Sequence, residues 1–118
     1  VRSQEIYNLM EDGIQFLENK KYGEAEAAFK TIIEKTDTVK EAYFNLGNAI
    51  YKQGRFEEAR EEYKNSLPLF EDKTELAEAY HNIGNSFMAE KEWEESIKSF
   101  KNALKNNPSQ SVLHPRYF

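Results

Sequence analysis

His81 and His114 are the only side chains in this sequence whose ordinary pKa lies near neutrality, so any acid–base or metal chemistry would have to begin there. A catalytic base needs a nucleophile or an orienting carboxylate at a fixed spacing, and a bound metal needs three or four converging ligands; neither pattern surrounds these two residues. The sequence also contains no G-x-S-x-G, no H-E-x-x-H and no glycine-rich phosphate loop. With zero Cys there is no thiol nucleophile, thiolate ligand or disulfide. The paired acids Glu57-Glu58 and Glu94-Glu95 stand at i, i+1, where carboxylates on a helix point in different directions and read as solvated charge. No catalytic residue, metal site or cofactor is expected, and His81 reads as a contact residue or a solvated ring.

A second set of residues carries binding chemistry. Met10, Ile14, Phe44, Asn45, Asn48, Tyr51, Lys52, His81, Asn82, Asn85 and Met88 recur at helical spacing in three stretches of the chain. Leu17, Glu41 and Glu78 fall on the same stripe. Apolar and aromatic groups supply contact area, and amides pair with both the donors and the acceptors of a bound backbone, so this mixture suits an extended or helical peptide. For Asn48 and Asn85 two readings stay open: contact with a guest, or bracing between neighbouring helices.

Elements must exist to hold that stripe together, and composition restricts them. Hydrophobic residues make up 39%, charged residues 31% and aromatics 14% of 118 residues, a balance expected of one soluble folded domain. Five Gly and three Pro leave little turn chemistry, which favours long helices with short connections and an all-α fold. The formal net charge of −5 argues against nucleic acid, whose phosphates attract clustered Lys and Arg. Here the cations alternate with Glu as on a solvated helix face. No apolar run is long enough to insert in a membrane, and no secretory leader opens the chain. Val1 in place of Met leaves room for a processed or excised piece, and composition leaves the compartment open.

The chain repeats itself. Asn45-Leu46-Gly47-Asn48 aligns with Asn82-Ile83-Gly84-Asn85, and Glu57-Glu58-Ala59 with Glu94-Glu95-Ser96, while Gly13, Ala25 and Phe29 carry a weaker first copy. Gly13, Gly47 and Gly84 are each followed 12 residues later by a small residue and 16 later by Phe29, Tyr63 or Phe100. Each copy reads as two helices, predicted at about 4–18 and 22–35, about 39–53 and 56–67, and about 75–90 and 93–106. Thr38-Val39-Lys40-Glu41 is expected to form a capping box, Gly54 to take the left-handed C′ position, and Pro68 and Asn106-Asn107-Pro108 to stop their helices. Three extra residues before the third copy are expected to add a helical turn or a longer loop around Glu71 to Thr74. Helices approach closely only where bulk is missing, so Gly47 against Ala59, and Gly84 against Ser96, are expected to mark the crossings. Phe29, Tyr63 and Phe100 are expected to fill the layer between repeats.

These residues resemble the tetratricopeptide-repeat family, a helix-turn-helix unit of about 34 residues. The match covers about 5–110 and rests on Leu9, Gly13, Phe16, Ala25 and Phe29; on Tyr43, Leu46, Gly47, Ile50, Ala59 and Tyr63; and on Tyr80, Ile83, Gly84, Phe87, Ser96, Phe100, Ala103 and Pro108. Asp12, Ile32, Asp37, Ser66 and Glu71 depart from the pattern. The resemblance implies a right-handed α-solenoid of three repeats, at about 5–38, 39–73 and 74–108, followed by a non-consensus tail at 109–118. It also implies that the stripe above lines a concave groove that binds a protein or peptide partner. Family members that clamp a chaperone's C-terminal carboxylate use Lys, Asn, Lys and Arg where this chain has Met10, Ile14, Glu78 and Asn82, so that ligand is not expected. The run Ala79-Tyr80-His81-Asn82 through Glu94-Glu95-Ser96-Ile97 to Leu104 resembles tetratricopeptide proteins of bacterial Bat aerotolerance operons, which implies a periplasmic or membrane-tethered setting rather than a cytoplasmic one.

The end of the chain is unusual for a solenoid, which normally closes with a polar helix. Pro115 makes the tail a poor helix, yet Val112, Leu113, Tyr117 and Phe118 are apolar. Disorder and packing on the last repeat, or on a neighbouring molecule, both stay open. The alternative to peptide binding is accordingly a self-assembling scaffold that forms a homo-oligomer through the uncapped edge of repeat three.

Overall fold

The computed structural model describes residues 2–109, so Val112, Leu113, His114, Pro115, Tyr117 and Phe118 of the tail, and what was expected of them, lie outside the described residues. Six α-helices follow one another: α1 (Ser3–Glu18), α2 (Tyr22–Lys35), α3 (Lys40–Tyr51), α4 (Phe56–Ser66), α5 (Lys73–Ala89) and α6 (Trp93–Asn106). They form three antiparallel hairpins, α1 with α2, α3 with α4 and α5 with α6, stacked so that α2 packs on α3 and α4 on α5. Among the described residues there is no strand. The result is an all-helical solenoid.

The three hairpins close on the same contact. A methyl group built on Gly47 would lie 2.6 Å from Cε1 of Tyr63, and one built on Gly13 or Gly84 would lie at that same 2.6 Å from Cε1 of Phe29 or Phe100. The missing side chain is therefore matched by an aromatic ring lying on the helix backbone, and not by the small residues Ala59 and Ser96 as expected. Ala25, Ala59 and Ser96 are buried nearby and let the helices approach. Each ring thus packs within its own hairpin, and Phe29 and Tyr63 also belong to the core cluster that runs from one repeat to the next. Ala42, Leu46, Ala49, Ile50 and Ile83 continue one apolar core from Ala25 and Ile32 into the third hairpin. Ser66, a departure from the pattern, is fully buried and donates to the Tyr63 carbonyl at 2.6 Å, so its hydroxyl costs little.

Each hairpin also turns in the same way. Gly54 takes φ +81°, as expected, and the equivalent residues in the other two hairpins are Lys20 and Lys91, both at φ 61°. The amide of Lys21 reaches the Phe16 carbonyl at 2.8 Å while Lys20 reaches Leu17 at 3.0 Å, the paired bonds of a Schellman turn. Arg55 and Gly54, and Glu92 and Lys91, repeat it. Two left-handed residues therefore carry a Cβ where only glycine is comfortable.

The connections depart from expectation at one cap and follow it at the longer linker. The capping box at Thr38 does not form: the N-cap is Val39, without a side-chain bond, and Thr38 Oγ1 lies 3.2 Å from Thr36 Oγ1 instead. The helix starts one residue too late for Thr38 to reach its amides. Before the third hairpin, Pro68 lacks an amide donor, so α4 ends at Ser66 and Leu67–Leu69 tighten into a 3-10 turn. Asp72 then caps α5, accepting from the Thr74 amide at 2.7 Å, and the extra residues lengthen α5 to 17 residues against 12 in α3.

Between repeats, buried charges meet. Arg55 holds the Glu26 carboxylate with two bonds of 2.8 and 3.1 Å, helped by Gln53 at 2.9 Å and Lys30 at 2.8 Å. Arg60 lies over the Phe87 ring at 4.1 Å from its centroid, donates to Ser86 Oγ at 3.3 Å and pairs with Glu90 at 2.6 Å. The Arg55 guanidinium holds the Glu26 carboxyl at about 2, well below its usual 4.5.

Two outcomes follow. Lys20→Gly and Lys91→Gly should each raise stability by about 0.5–1 kcal/mol, and Gly54→Ala should lower it by about 1 kcal/mol, read from thermal melts. Because the folded pKa of Glu26 lies below the unfolded one, its contribution is complete above about pH 4.5 and is lost as pH falls toward 2. Urea unfolding of Glu26→Gln should thus show a deficit of about 1–3 kcal/mol at pH 7 that closes in acid. A deficit independent of pH would contradict the pairing.

Candidate functional site

The first helices of the three hairpins, α1, α3 and α5, share a wall. Leu17, Glu18 and Lys20 at the end of α1, Tyr22 at the start of α2, Asn48, Tyr51 and Lys52 on α3, Tyr63 on α4 and Asn82 on α5 enclose a groove of about 430 Å³. A second depression of about 170 Å³ lies between the starts of α3 and α5, lined by Glu41, Phe44, Asn45, Phe70, Glu75 and Glu78. Of the residues expected to bind, Asn48, Tyr51, Lys52 and Asn82 therefore fall in one hollow, and Phe44 and Asn45 in the other. Met10 packs against the core, Ile14 and Met88 are exposed, and the His81 ring lies 5.1 Å from that of Phe100; with Asn85, these line neither hollow. Glu18, Lys20, Tyr22 and Phe70 were not legible as wall residues, because helix ends, turns and linkers escape a reading based on helical periodicity.

Asn48 sits at the centre of a polar network. Its Oδ1 accepts from the Tyr63 hydroxyl at 2.6 Å and from Asn82 Nδ2 at 3.2 Å, and its Nδ2 donates to Asn45 Oδ1 at 3.3 Å. The amide thus joins α3 to its own partner helix and to the next repeat, so the bracing reading describes Asn48 and Asn82 even though both face the groove. Burial pushes the Tyr63 phenol far above its usual range, which keeps the hydroxyl a donor. In the third repeat Phe100 stands where Tyr63 stands, without a hydroxyl, and Asn85 Nδ2 is buried with no acceptor among the described residues. An unpaired buried amide costs about 1–3 kcal/mol, a cost that an added acceptor would relieve.

Charge is distributed unevenly along this wall. Lys20 and Lys52 edge the larger groove beside Glu18, whereas Glu41, Glu75 and Glu78 edge the smaller one. Lys40 reaches Glu75 at 3.1 Å and lies 5.5 Å from the Phe70 ring centroid, fixing the linker over Phe44. Among the described residues no three His, Asp or Glu side chains are grouped to hold a metal ion, and no helix is long and apolar enough to cross a membrane.

The stacked hairpins, the small residues at their crossings and the repeat spacing converge with a direct comparison: the tetratricopeptide-repeat family model matches residues 37–109, well over half the sequence. The chain belongs to the tetratricopeptide-repeat family. Among solved structures it is similar to the first tetratricopeptide domain of Spaghetti (RPAP3) bound to the HSP90 peptide SRMEEVD, with TM-score 0.81 and 22% identity over 95% of this chain and 86% of that one. It is similar to a chain of the CopN-Scc3 complex, with TM-score 0.84 and 18% identity over 96% of this chain and 64% of that one, less than two thirds of its length. The N-terminal domain of stress-induced protein-1 from C. elegans gives TM-score 0.81 and 15% identity over 91% and 89% of the two chains. At these identities the likeness is one of fold. No curated protein matches the sequence significantly.

If Asn48 braces the stack, Asn48→Ala should lower the melting temperature, at a cost of about 1–3 kcal/mol, and Tyr63→Phe should cost about 1 kcal/mol. Unchanged melting of both would assign these groups to ligand contact alone.

Proposed function

We propose that this protein is a non-enzymatic adaptor that captures an extended peptide or protein segment along the wall of α1, α3 and α5. The observation that carries this reading is the groove of about 430 Å³ whose lining combines apolar, phenolic, amide and ammonium groups without a catalytic grouping. Tyr51 and Tyr22 offer rigid contact area. Lys20 and Lys52 at one end, and Glu41 and Glu78 at the other, favour a guest that is acidic toward the first and basic toward the second. The positions that a carboxylate clamp would require carry Met10, Ile14, Glu78 and Asn82, so the guest differs from the chaperone tail held by the Spaghetti (RPAP3) domain.

The run from Ala79 to Leu104 further supports a bacterial envelope setting of the Bat type for that partner. Self-assembly through the outer edge of the third repeat uses a different face and is compatible with groove binding.

The reading is tested with a library of charged, aromatic-containing peptides and fluorescence polarisation. Tyr51→Ala and Lys52→Glu should weaken the best binder by about tenfold or more, with helicity unchanged. Asn85→Leu, outside both hollows, should leave binding unchanged and melting the same or higher, since it removes an unpaired buried amide. Affinity that is indifferent to Tyr51→Ala and Lys52→Glu would refute the groove.

A further inference from the structure

Four positions recur along the second helix of each repeat and its end, spaced 4, 3 and 4 residues, and the second of them meets the repeat that follows. In the second repeat they are Phe56, Arg60, Tyr63 and Leu67, and Arg60 is buried against Ser86 and Phe87 of α5 and Glu90 just after it. Glu26 plays the same part in the first repeat, buried against Arg55. In the third repeat the four are Trp93, Ile97, Phe100 and Leu104, and there exposure returns: 56% for Trp93, 53% for Ile97 and 37% for Leu104. The chemistry also changes. The site held by a charge in both internal interfaces, Glu26 and then Arg60, is held by Ile97, so the open edge is more apolar than the two closed ones. An edge meant to stay wet would carry the reverse.

The spacing of this stripe is 4, 3 and 4 residues from Trp93 to Leu104, the alternation of a two-helix seam. The charges beside it are split along the axis, with Glu94 and Glu95 in the first turn of α6 and Lys98, Lys101 and Lys105 beyond. A parallel copy would set like charges side by side. An antiparallel copy sets the acidic turn of each helix beside the basic half of the other, with Glu94 of one copy near Lys101 of its mate and Ile97 over Phe100. We infer that α6 is a self-complementary interface through which two copies of this chain associate about a twofold axis, α6 against α6, by continuing the apolar packing that joins the repeats internally. The helix is 14 residues, about 21 Å long, so the buried area falls below that of a standard interface and the dimer is weak and reversible.

Sedimentation equilibrium of the full chain from about 10 µM to about 1 mM should show a monomer–dimer equilibrium. Trp93 is the single tryptophan, and its emission should shift to the blue as the dimer forms. Ile97→Glu should abolish association with helicity and peptide capture unchanged, which separates this face from the groove. Glu94→Lys and Lys101→Glu should each weaken association about tenfold, and the double variant should restore it, a rescue that only antiparallel pairing permits. A chain that stays monomeric to about 1 mM, a dimer that survives Ile97→Glu, or a double swap that fails to rescue would overturn the inference. So would self-association gained only when the chain is ended at Ser109, which would assign the face to residues 110–118.

Discussion

The solenoid depends on one close contact made three times: an aromatic ring on the second helix of each hairpin lies flat against a turn of the first helix that has no side chain. Because Phe29, Tyr63 and Phe100 cannot come this near to any residue with a Cβ, the glycine sets the separation of the two helices and the ring sets their angular register. Everything outward of that contact inherits its geometry. The alanines beside it can be small because the helices are already close, and the three first helices present a common wall because their hairpins are built alike.

The hairpins themselves were readable in the sequence, since the fixed distances from each glycine to a small residue and to an aromatic ring survive even in the weak first copy. The partner of the glycine was not. Spacing places Ala59 and Tyr63 on the same helix face one turn apart, and only the path of the ring decides which of them covers Gly47. Helix ends were legible where proline forbids continuation, as at Pro68, and less so where a cap depends on a single residue of offset, as at Thr38. The left-handed turn was visible at Gly54 and hidden at Lys20 and Lys91, whose residue type gives no hint of it.

The site divides along the same line. Asn48, Tyr51 and Lys52 belong to a helical stripe and could be placed from periodicity, whereas Tyr22 and Phe70 reach the wall from the start of the second helix and from a linker. Composition also conceals what Glu26 and Arg60 do. In a sequence rich in alternating charge both look solvated, yet each is about nine-tenths buried and held by a partner in the next repeat. Such pairs contribute little net stability compared with apolar packing, because desolvation offsets attraction, but breaking one partner of a buried pair is expensive.

That asymmetry bears on how modules of one design are kept in sequence. The first repeat presents an acid to its successor and the second presents a base, so the joints are not interchangeable. A folding intermediate in which the third hairpin skipped its neighbour and landed on the first would bring Glu90 against Glu26, two carboxylates where the correct joint has a carboxylate and a guanidinium. Near-identical hairpins are prone to such slippage. A single inverted charge at each seam is enough to give otherwise similar building blocks a fixed order of assembly.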